Sequence, residues 1–179
     1  MNIQTQKSII KMKIQLFVAI ILSTFSFMAC EQDSQIPDDQ QKLTTLDGIV
    51  IKYGTSFGMC LGPCRKEMAL VNDEAAFTVY QNGGRGTEGG DPKTYTEKLT
   101  DEYVTAVSKS VDFDTFKKLP ETIGCPDCAD GGAEWVEITK NDSKHKVTFE
   151  FGHDVQEIAP LLKLLREKRI YFEEKYVKP

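Results

Sequence analysis

Apolar and polar residues alternate along several short stretches, as they do in β-strands that bury one face. Around Ile51 the alternation runs from Ile49 to Tyr53, and it recurs on both sides of Asn72-Asp73 and of residues 141–143. These two short segments are rich in turn-forming residues and predict hairpins. The predicted strands are, in chain order, 49–53, 66–71, 75–81, 133–140 and 144–151.

Three other stretches repeat apolar residues at helical spacing. Thr100 is a candidate N-cap for a helix with an acidic first turn, and Asp112 for a short helix that buries Phe113 and Phe116. The first of these has its apolar face at Tyr103, Val104, Val107 and Val111. The last helix carries Pro160 in its first turn and apolar residues at Ile158, Leu161, Leu162, Leu165, Phe172 and Tyr176.

This order of elements predicts an α+β domain, with helices on one face of a mainly antiparallel sheet and two hairpin-helix halves. Between the halves, residues 82–91 are rich in glycine. Gly84, Gly86 and Gly89 match the spacing of a dinucleotide fingerprint, but no helix follows and Pro92 comes soon after. We therefore interpret the segment as a loop.

The first 29 residues predict a secretory signal rather than part of the fold. Lys7, Lys11 and Lys13 precede an apolar run over 14–27, which polar residues interrupt before it reaches the roughly 20 apolar residues of a membrane span. Met12 with the same run also makes a complete signal, so a start at Met1 or at Met12 leads to the same expectation.

The signal ends in Met28-Ala29-Cys30 before a polar stretch, which resembles the lipobox of bacterial lipoproteins. We expect cleavage before Cys30 and lipidation of that cysteine. The acidic Glu31 and Asp33 resemble surface-export signals of Bacteroidota-type lipoproteins. The resemblance implies an outer-membrane lipoprotein that faces the periplasm or the cell surface.

The predicted organisation is a signal over 1–29, a lipidated end and flexible tether over 30–46, and one globular domain over 47–179. The tether is polar and acidic, with Pro37-Asp38-Asp39 at its centre. The remaining length suits a single core.

The net charge of the chain limits the classes of partner that we expect it to bind. The chain has 22 basic and 27 acidic residues, and the predicted signal removes three basic and no acidic ones. The mature chain then has 19 basic against 27 acidic residues, a net charge of −8. This argues against nucleic acid as a partner. We expect attachment to the membrane through the lipid, and an envelope protein as a possible partner.

Four cysteines remain, in the pairs Cys60/Cys64 and Cys125/Cys128. An exported domain with an even number of cysteines favours structural disulfides. Sequence leaves three connectivities open, although local pairing is favoured because each local loop needs only a tight turn.

Two alternatives use the same four residues. Cys60, Cys64, Cys125 and Cys128 could hold a zinc ion tetrahedrally, although Ala129 replaces the glycine usual after a zinc knuckle. Cys125 and Cys128 also have the spacing of a redox-active dithiol, but Gly131-Gly132 follows in place of the helix that would lower the pKa of the first thiol. Otherwise no cofactor is expected.

The remaining candidates have structural interpretations. His145 and His153 lack a nucleophile or carboxylate at a catalytic spacing, and the serines match no nucleophile motif. Asp127 and Asp130 are interpreted as turn residues and Trp135 as a core residue. No catalytic residues are predicted.

Three segments resemble an uncharacterised family of Bacteroidota-type lipoproteins over roughly residues 47–175. They are Phe57-Gly58-x-Cys60-x-Gly62-x-Cys64, the helix from Phe113 to Leu119, and Cys125-Pro-Asp-Cys-Ala-Asp-Gly-Gly-Ala-Glu-Trp135. The family is similar to a broader domain of unknown function with two hairpin-helix halves, and the resemblance implies an architecture without an activity. The leading hypothesis is a non-enzymatic, lipid-anchored binding or scaffolding module, and the alternative is a zinc-binding or thiol-disulfide redox protein.

Overall fold

The computed structural model describes residues 46, 48–82 and 89–177. The predicted signal, Cys30 and the predicted tether up to residue 45 lie outside the described residues. The strands are β1 (Ile49–Ser56), β2 (Gly62–Val71), β3 (Glu74–Asn82), β4 (Lys93–Lys98), β5 (Thr122–Ile123), β6 (Ala133–Lys140) and β7 (Ser143–Glu150). The helices are α1 (Asp101–Ser110), α2 (Phe113–Phe116) and α3 (Ala159–Tyr176), with 3-10 turns at Cys128–Asp130 and Gln156–Ile158.

The strands form one sheet in the order β4-β3-β2-β1-β6-β7-β5. All neighbours pair antiparallel except β5, which runs parallel to β7. The central strand β1 pairs with β2 on one side and with β6 on the other. The predicted α+β class with a mainly antiparallel sheet is confirmed.

The strand alternation separates a buried face from a polar face. Ile51 and Tyr53 in β1 are buried together with Met68, Phe77 and Val136 of the neighbouring strands. The apolar residues of α1, α2 and α3 join the same core cluster, so the helices cover this face. The alternate residues form the opposite face, where Lys52, Glu137 and Lys144 make ion pairs.

Both predicted helix caps are confirmed. The Tyr103 amide donates to the Thr100 hydroxyl at 3.3 Å, and the Thr115 amide donates to Asp112 Oδ1 at 3.0 Å. These side chains satisfy amides that the first turn of a helix leaves without partners. Pro160 lies in the first turn of α3, as predicted.

The structure differs from the sequence prediction at several element boundaries. Strand β4 was not predicted, because Tyr95 is its only apolar residue. Strand β2 begins at Gly62 rather than at residue 66, so it includes Cys64. Leu46, assigned to the tether, is buried in the core.

The predicted loop over 82–91 is described only in part. Residues 83–88, including Gly84 and Gly86, lie outside the described residues, and Gly89 has no regular structure. Within the described part of the chain, no helix combines the length and apolar character needed to span a membrane.

Candidate functional site

Two short disulfide loops lie together at one end of the sheet. Cys60, in the loop after β1, and Cys64, in β2, form a disulfide with a Cα–Cα distance of 5.7 Å. Cys125 and Cys128 form a second one just before β6, with a Cα–Cα distance of 5.5 Å. Both disulfides are therefore local. We call residues 57–64 and 124–132 the disulfide end.

Direct contacts join the two loops. The Gly58 amide donates to Asp127 Oδ1 at 3.2 Å, which links the loop after β1 to the loop before β6. The Cys125 amide donates to Glu150 Oε1 at 2.9 Å, which fixes the second loop to β7. The disulfide end is therefore held by three strands.

Aromatic packing supports the same region. The Phe57 ring covers Gly132 so closely that a Cβ atom there would overlap the ring. Phe151 contacts Phe57 edge-on, with 4.9 Å between the ring centroids. Gly132 has a φ of +84°, so any side chain at this position would meet both a steric and a backbone penalty.

The two disulfides have different surroundings. Cys64 is 2% exposed and Cys60 is half-buried, whereas Cys125 and Cys128 are both exposed. The first loop turns through a left-handed glycine, Gly62, at a φ of +87°.

The second loop places non-glycine residues in that conformation, with φ values of 63° at Asp127, 52° at Ala129 and 59° at Asp130. A left-handed backbone is costly for alanine and less so for aspartate, so this loop is under greater strain.

The first loop presents two large apolar side chains to solvent. Met59 is 78% exposed and Leu61 is 76% exposed, more than any other large apolar residue that the structure describes. We call this pair the apolar tip. Because the disulfide closes the loop around Leu61, its backbone has little freedom to lose when a partner binds. Met59 lies between this loop and Gly58, whose amide is bonded to Asp127.

A buried ionic network lies beside the disulfide end. Glu134, the second residue of β6, is 1% exposed. Arg166 of α3 donates to both of its carboxylate oxygens, from Nε and Nη2 at 2.9 Å each. The Tyr53 hydroxyl donates to the same carboxylate at 2.5 Å and the Gly152 amide at 3.0 Å. Four donors thus compensate the buried charge.

The network continues along α3 to β2. Arg169 Nε donates to the Tyr53 hydroxyl at 3.3 Å, and Arg169 pairs with Glu173 at 2.7 Å. Glu173 in turn pairs with Lys66 at 3.0 Å. This chain of contacts fixes the position of α3 against β1, β2 and β6.

The pKa directions agree with a structural role for the network. Burial raises the pKa of the Tyr53 phenol, and the Glu134 charge and hydrogen bond raise it further. The hydrogen bond to Glu134 raises the pKa of Arg166. Tyr53 therefore stays protonated and Arg166 charged near neutral pH, so neither is suited to proton transfer there.

This network was not predicted from the sequence, although the chain contains a signal for it. Glu134 has the same strand parity as the buried Val136 and Ile138, and Arg166 follows Leu162 by one helical turn. A charged residue at a core position predicts a buried partner. Which residue that partner is depends on how α3 packs on the sheet.

The other residues singled out by sequence have structural contacts. His145 Nε2 lies 2.9 Å from the Leu119 carbonyl oxygen, and its ring meets Phe116 edge-on. His153 is exposed, and its carbonyl accepts from Arg166. Asp127 and Asp130 lie in the turn, as interpreted from the sequence.

Trp135 is buried, but it lies on the polar face of the sheet instead of in the core under the helices. Its ring crosses Gly54 on the neighbouring strand, where a Cβ atom would overlap it. The Lys146 ammonium lies 4.9 Å from the ring centroid. Trp135 is therefore covered by basic side chains and offers no open aromatic platform.

Over residues 46, 48–82 and 89–177, no group of three or more His, Cys, Asp or Glu side chains is placed to hold a metal ion. The four cysteines considered as zinc ligands are paired in two disulfides. A comparison with models of known protein families finds no match, and a comparison with curated proteins finds none either.

Proposed function

We propose that this chain is a lipid-anchored protein of the bacterial cell envelope that binds a partner protein through the disulfide end. The observation that carries the proposal is the exposure of Leu61, inside the loop that Cys60–Cys64 closes, and of Met59 directly before it. Exposed apolar side chains on a rigid support are typical of interaction sites, because burying them gains hydrophobic energy at a small entropic cost.

The position of the tip on the sheet supports this proposal. Strand β1 begins at Ile49 and ends at Ser56, shortly before the tip. An eight-residue strand is about 26 Å long at roughly 3.3 Å per residue. The tip therefore lies at the far end of the central strand, where a partner has access.

Charge at the disulfide end indicates the chemistry of the partner. The exposed carboxylates of Asp127, Asp130 and Glu150 lie on the second loop and at the end of β7. These carboxylates would repel an anionic lipid surface and attract a basic protein surface. We therefore expect a protein with an apolar recess and a cationic rim.

Docking is tested by placing a photoreactive amino acid at position 61 or 71 of the full chain in intact cells. Val71 is also exposed, but it lies at the opposite end of β2. We expect one defined protein adduct from position 61 and none from position 71. The same adducts from both positions, or adducts to lipid only, would contradict the proposal.

The adduct is then identified, and its affinity for the wild-type chain is compared with that for Leu61→Ser and Val71→Ser. We expect Leu61→Ser to weaken binding by about 30-fold, the size of a typical hot-spot effect, and Val71→Ser to leave it unchanged. Added salt should weaken binding further. A Leu61-dependent association with anionic vesicles would point to a membrane instead.

Anchoring is tested separately by detergent-phase partitioning. The wild-type chain should enter the detergent phase, and Cys30→Ala should remain in the aqueous phase because it loses its acyl chains. Ser34→Ala, four residues further on, should behave like the wild type. Equal partitioning of Cys30→Ala and wild type would contradict lipidation and leave the docking test unaffected.

A further inference from the structure

We propose that Cys125–Cys128 is a thiol–disulfide exchange site that a dithiol reductant opens in the folded protein, while Cys60–Cys64 stays closed. This inference does not depend on the proposed docking function. It rests on two differences between the loops, one in access and one in backbone conformation.

The difference in access concerns the exposure of the cysteine residues. Exchange requires an incoming thiolate to reach a disulfide sulfur in line with the bond that breaks. Cys125 and Cys128 are both exposed, in a loop whose residues 127–131 are exposed as well. Cys64 is 2% exposed within β2, so the first disulfide has only the half-buried Cys60 to offer.

The difference in backbone conformation concerns the strain that reduction can release. The first loop has its left-handed residue at Gly62, where that conformation costs little. In the second loop, Ala129 has a left-handed backbone, and so do Asp127 and Asp130 on either side of it. Opening this disulfide frees the loop to relax, so the reduced form gains stability that the first loop lacks.

The proposed reaction is a two-step exchange with a dithiol, such as a Cys-x-x-Cys protein of the same compartment. A thiolate of the reductant attacks one sulfur, the Cys125–Cys128 bond breaks, and the released thiolate takes up a proton. The second reductant thiolate then attacks the reductant's own sulfur in the mixed disulfide, and the remaining cysteine of the chain leaves as a thiolate and takes up a proton. Two electrons and two protons pass to the chain, which ends with two thiols, and the reductant ends with a disulfide.

The fold supports a local effect of this reaction. Asp127, between the two cysteines, accepts the hydrogen bond from Gly58 next to Met59. Relaxation of the second loop would remove this link between the loops. The sheet pairing of β6 begins only at Ala133, beyond the loop, and should remain.

The test equilibrates the full chain, in detergent micelles, with mixtures of oxidised and reduced dithiothreitol. Free thiols are then trapped by alkylation and assigned by peptide mass spectrometry. We expect Cys125 and Cys128 to be half reduced at a reductant ratio about tenfold lower than Cys60 and Cys64, with circular dichroism unchanged. Simultaneous reduction of both pairs, or reduction of Cys60–Cys64 first, would overturn the proposal.

Two reciprocal variants test the role of the backbone. Ala129→Gly removes only a methyl group and should make Cys125–Cys128 about fivefold harder to reduce. Gly62→Ala adds a methyl group with no atom within 4 Å of it, and should make Cys60–Cys64 about fivefold easier to reduce. An unchanged midpoint for Cys125–Cys128 in Ala129→Gly would show that loop strain plays no part and would overturn the proposal.

Discussion

At the scale of single residues, Glu134 is a buried carboxylate at the start of β6, two residues after the disulfide end. A buried carboxylate is stable only when donors replace the water that it loses, and Arg166, Tyr53 and Gly152 supply them. Removing Glu134 would leave the half-buried Arg166 with only its outer partners. The loss of stability on removing Glu134 is therefore determined by the polar groups that lose a partner, rather than by the net stabilisation from the ion pair.

Glu134→Ala is expected to lower the free energy of unfolding by about 3 to 5 kcal/mol, as breaking a buried ion pair does. Asp154→Ala is the matched control, because Asp154 pairs with the same Arg166 at 2.8 Å but is exposed. It should cost less than about 1 kcal/mol. Urea unfolding measures both, and equal effects would contradict the assigned role of Glu134.

Tyr53 gives a prediction for alkaline pH. Burial and Glu134 raise its pKa in the folded chain above the ordinary value near 10. The folded state thus holds the proton more tightly than the unfolded state. The resulting stability is complete below about pH 10 and is lost as pH rises above it.

The measurement compares urea unfolding of wild type and Tyr53→Phe at two pH values. Between about pH 9 and about pH 11 the wild type should lose about 1.4 kcal/mol more than Tyr53→Phe, which cannot ionise at this position. The comparison removes the titration of all other groups, which both proteins share. Parallel stability curves for the two proteins would show that Tyr53 ionises normally.

At the scale of elements, the sequence predicts those strands and helices whose burial produces a local pattern of apolar residues. Strands β1, β2, β3, β6 and β7 each bury one face, so alternation indicates them, and Thr100 and Asp112 mark helix starts by local hydrogen bonds. Strand β4 shows no such alternation because it lies at the edge of the sheet and buries few side chains. Its position depends on contacts with α3, 74 or more residues away.

The tie between β4 and α3 depends on Glu97. Its carboxylate accepts from the Tyr171 hydroxyl at 3.0 Å, from Lys175 at 2.8 Å and from the Tyr176 hydroxyl at 2.6 Å. Tyr95 adds a stacked contact with Tyr176, with ring centroids 4.3 Å apart. An edge strand pairs with one neighbour only, so these contacts should control its local opening.

Glu97→Ala should therefore increase amide hydrogen exchange in β4 by about fivefold while β1 remains protected, because local opening costs about 1 kcal/mol less. Thr96→Ala, at an exposed position of the same strand, serves as the control and should leave exchange unchanged. Exchange that rises equally in β1 and β4 would indicate global destabilisation and contradict a local role for Glu97.

At the scale of the whole molecule, the sequence indicated the disulfide end but not its chemistry. Close cysteine pairs in a chain that is predicted to be exported favour local disulfides, since spacing limits which sulfurs can meet. Their unequal exposure depends on where each loop joins the sheet, and the contact of Gly58 with Asp127 spans 69 positions. Long-range placement of this kind has no signal in local spacing.

The size of the core decides how much the disulfides contribute to the fold. Each closes a ring of only four or five residues, which stabilises the chain by about 2 kcal/mol through the unfolded state. The core instead draws on five paired strands and three helices, from Leu46 to Phe172. A domain of this size does not need cross-links to fold.

A variant with Cys64→Ala and with Ser at Cys60, Cys125 and Cys128 should therefore remain folded, with a free energy of unfolding lower by about 2 to 4 kcal/mol. Replacing only Cys125 and Cys128 should cost less than half of that, because the left-handed backbone at Ala129 offsets part of what this disulfide contributes. Near-ultraviolet circular dichroism and urea unfolding measure both. Retained tertiary structure would mean that the exposed disulfide can open without loss of the fold. Unfolding on removal of Cys125–Cys128 alone would contradict both the stability estimate and the proposed exchange site. A site whose reduction unfolds its own protein cannot act reversibly.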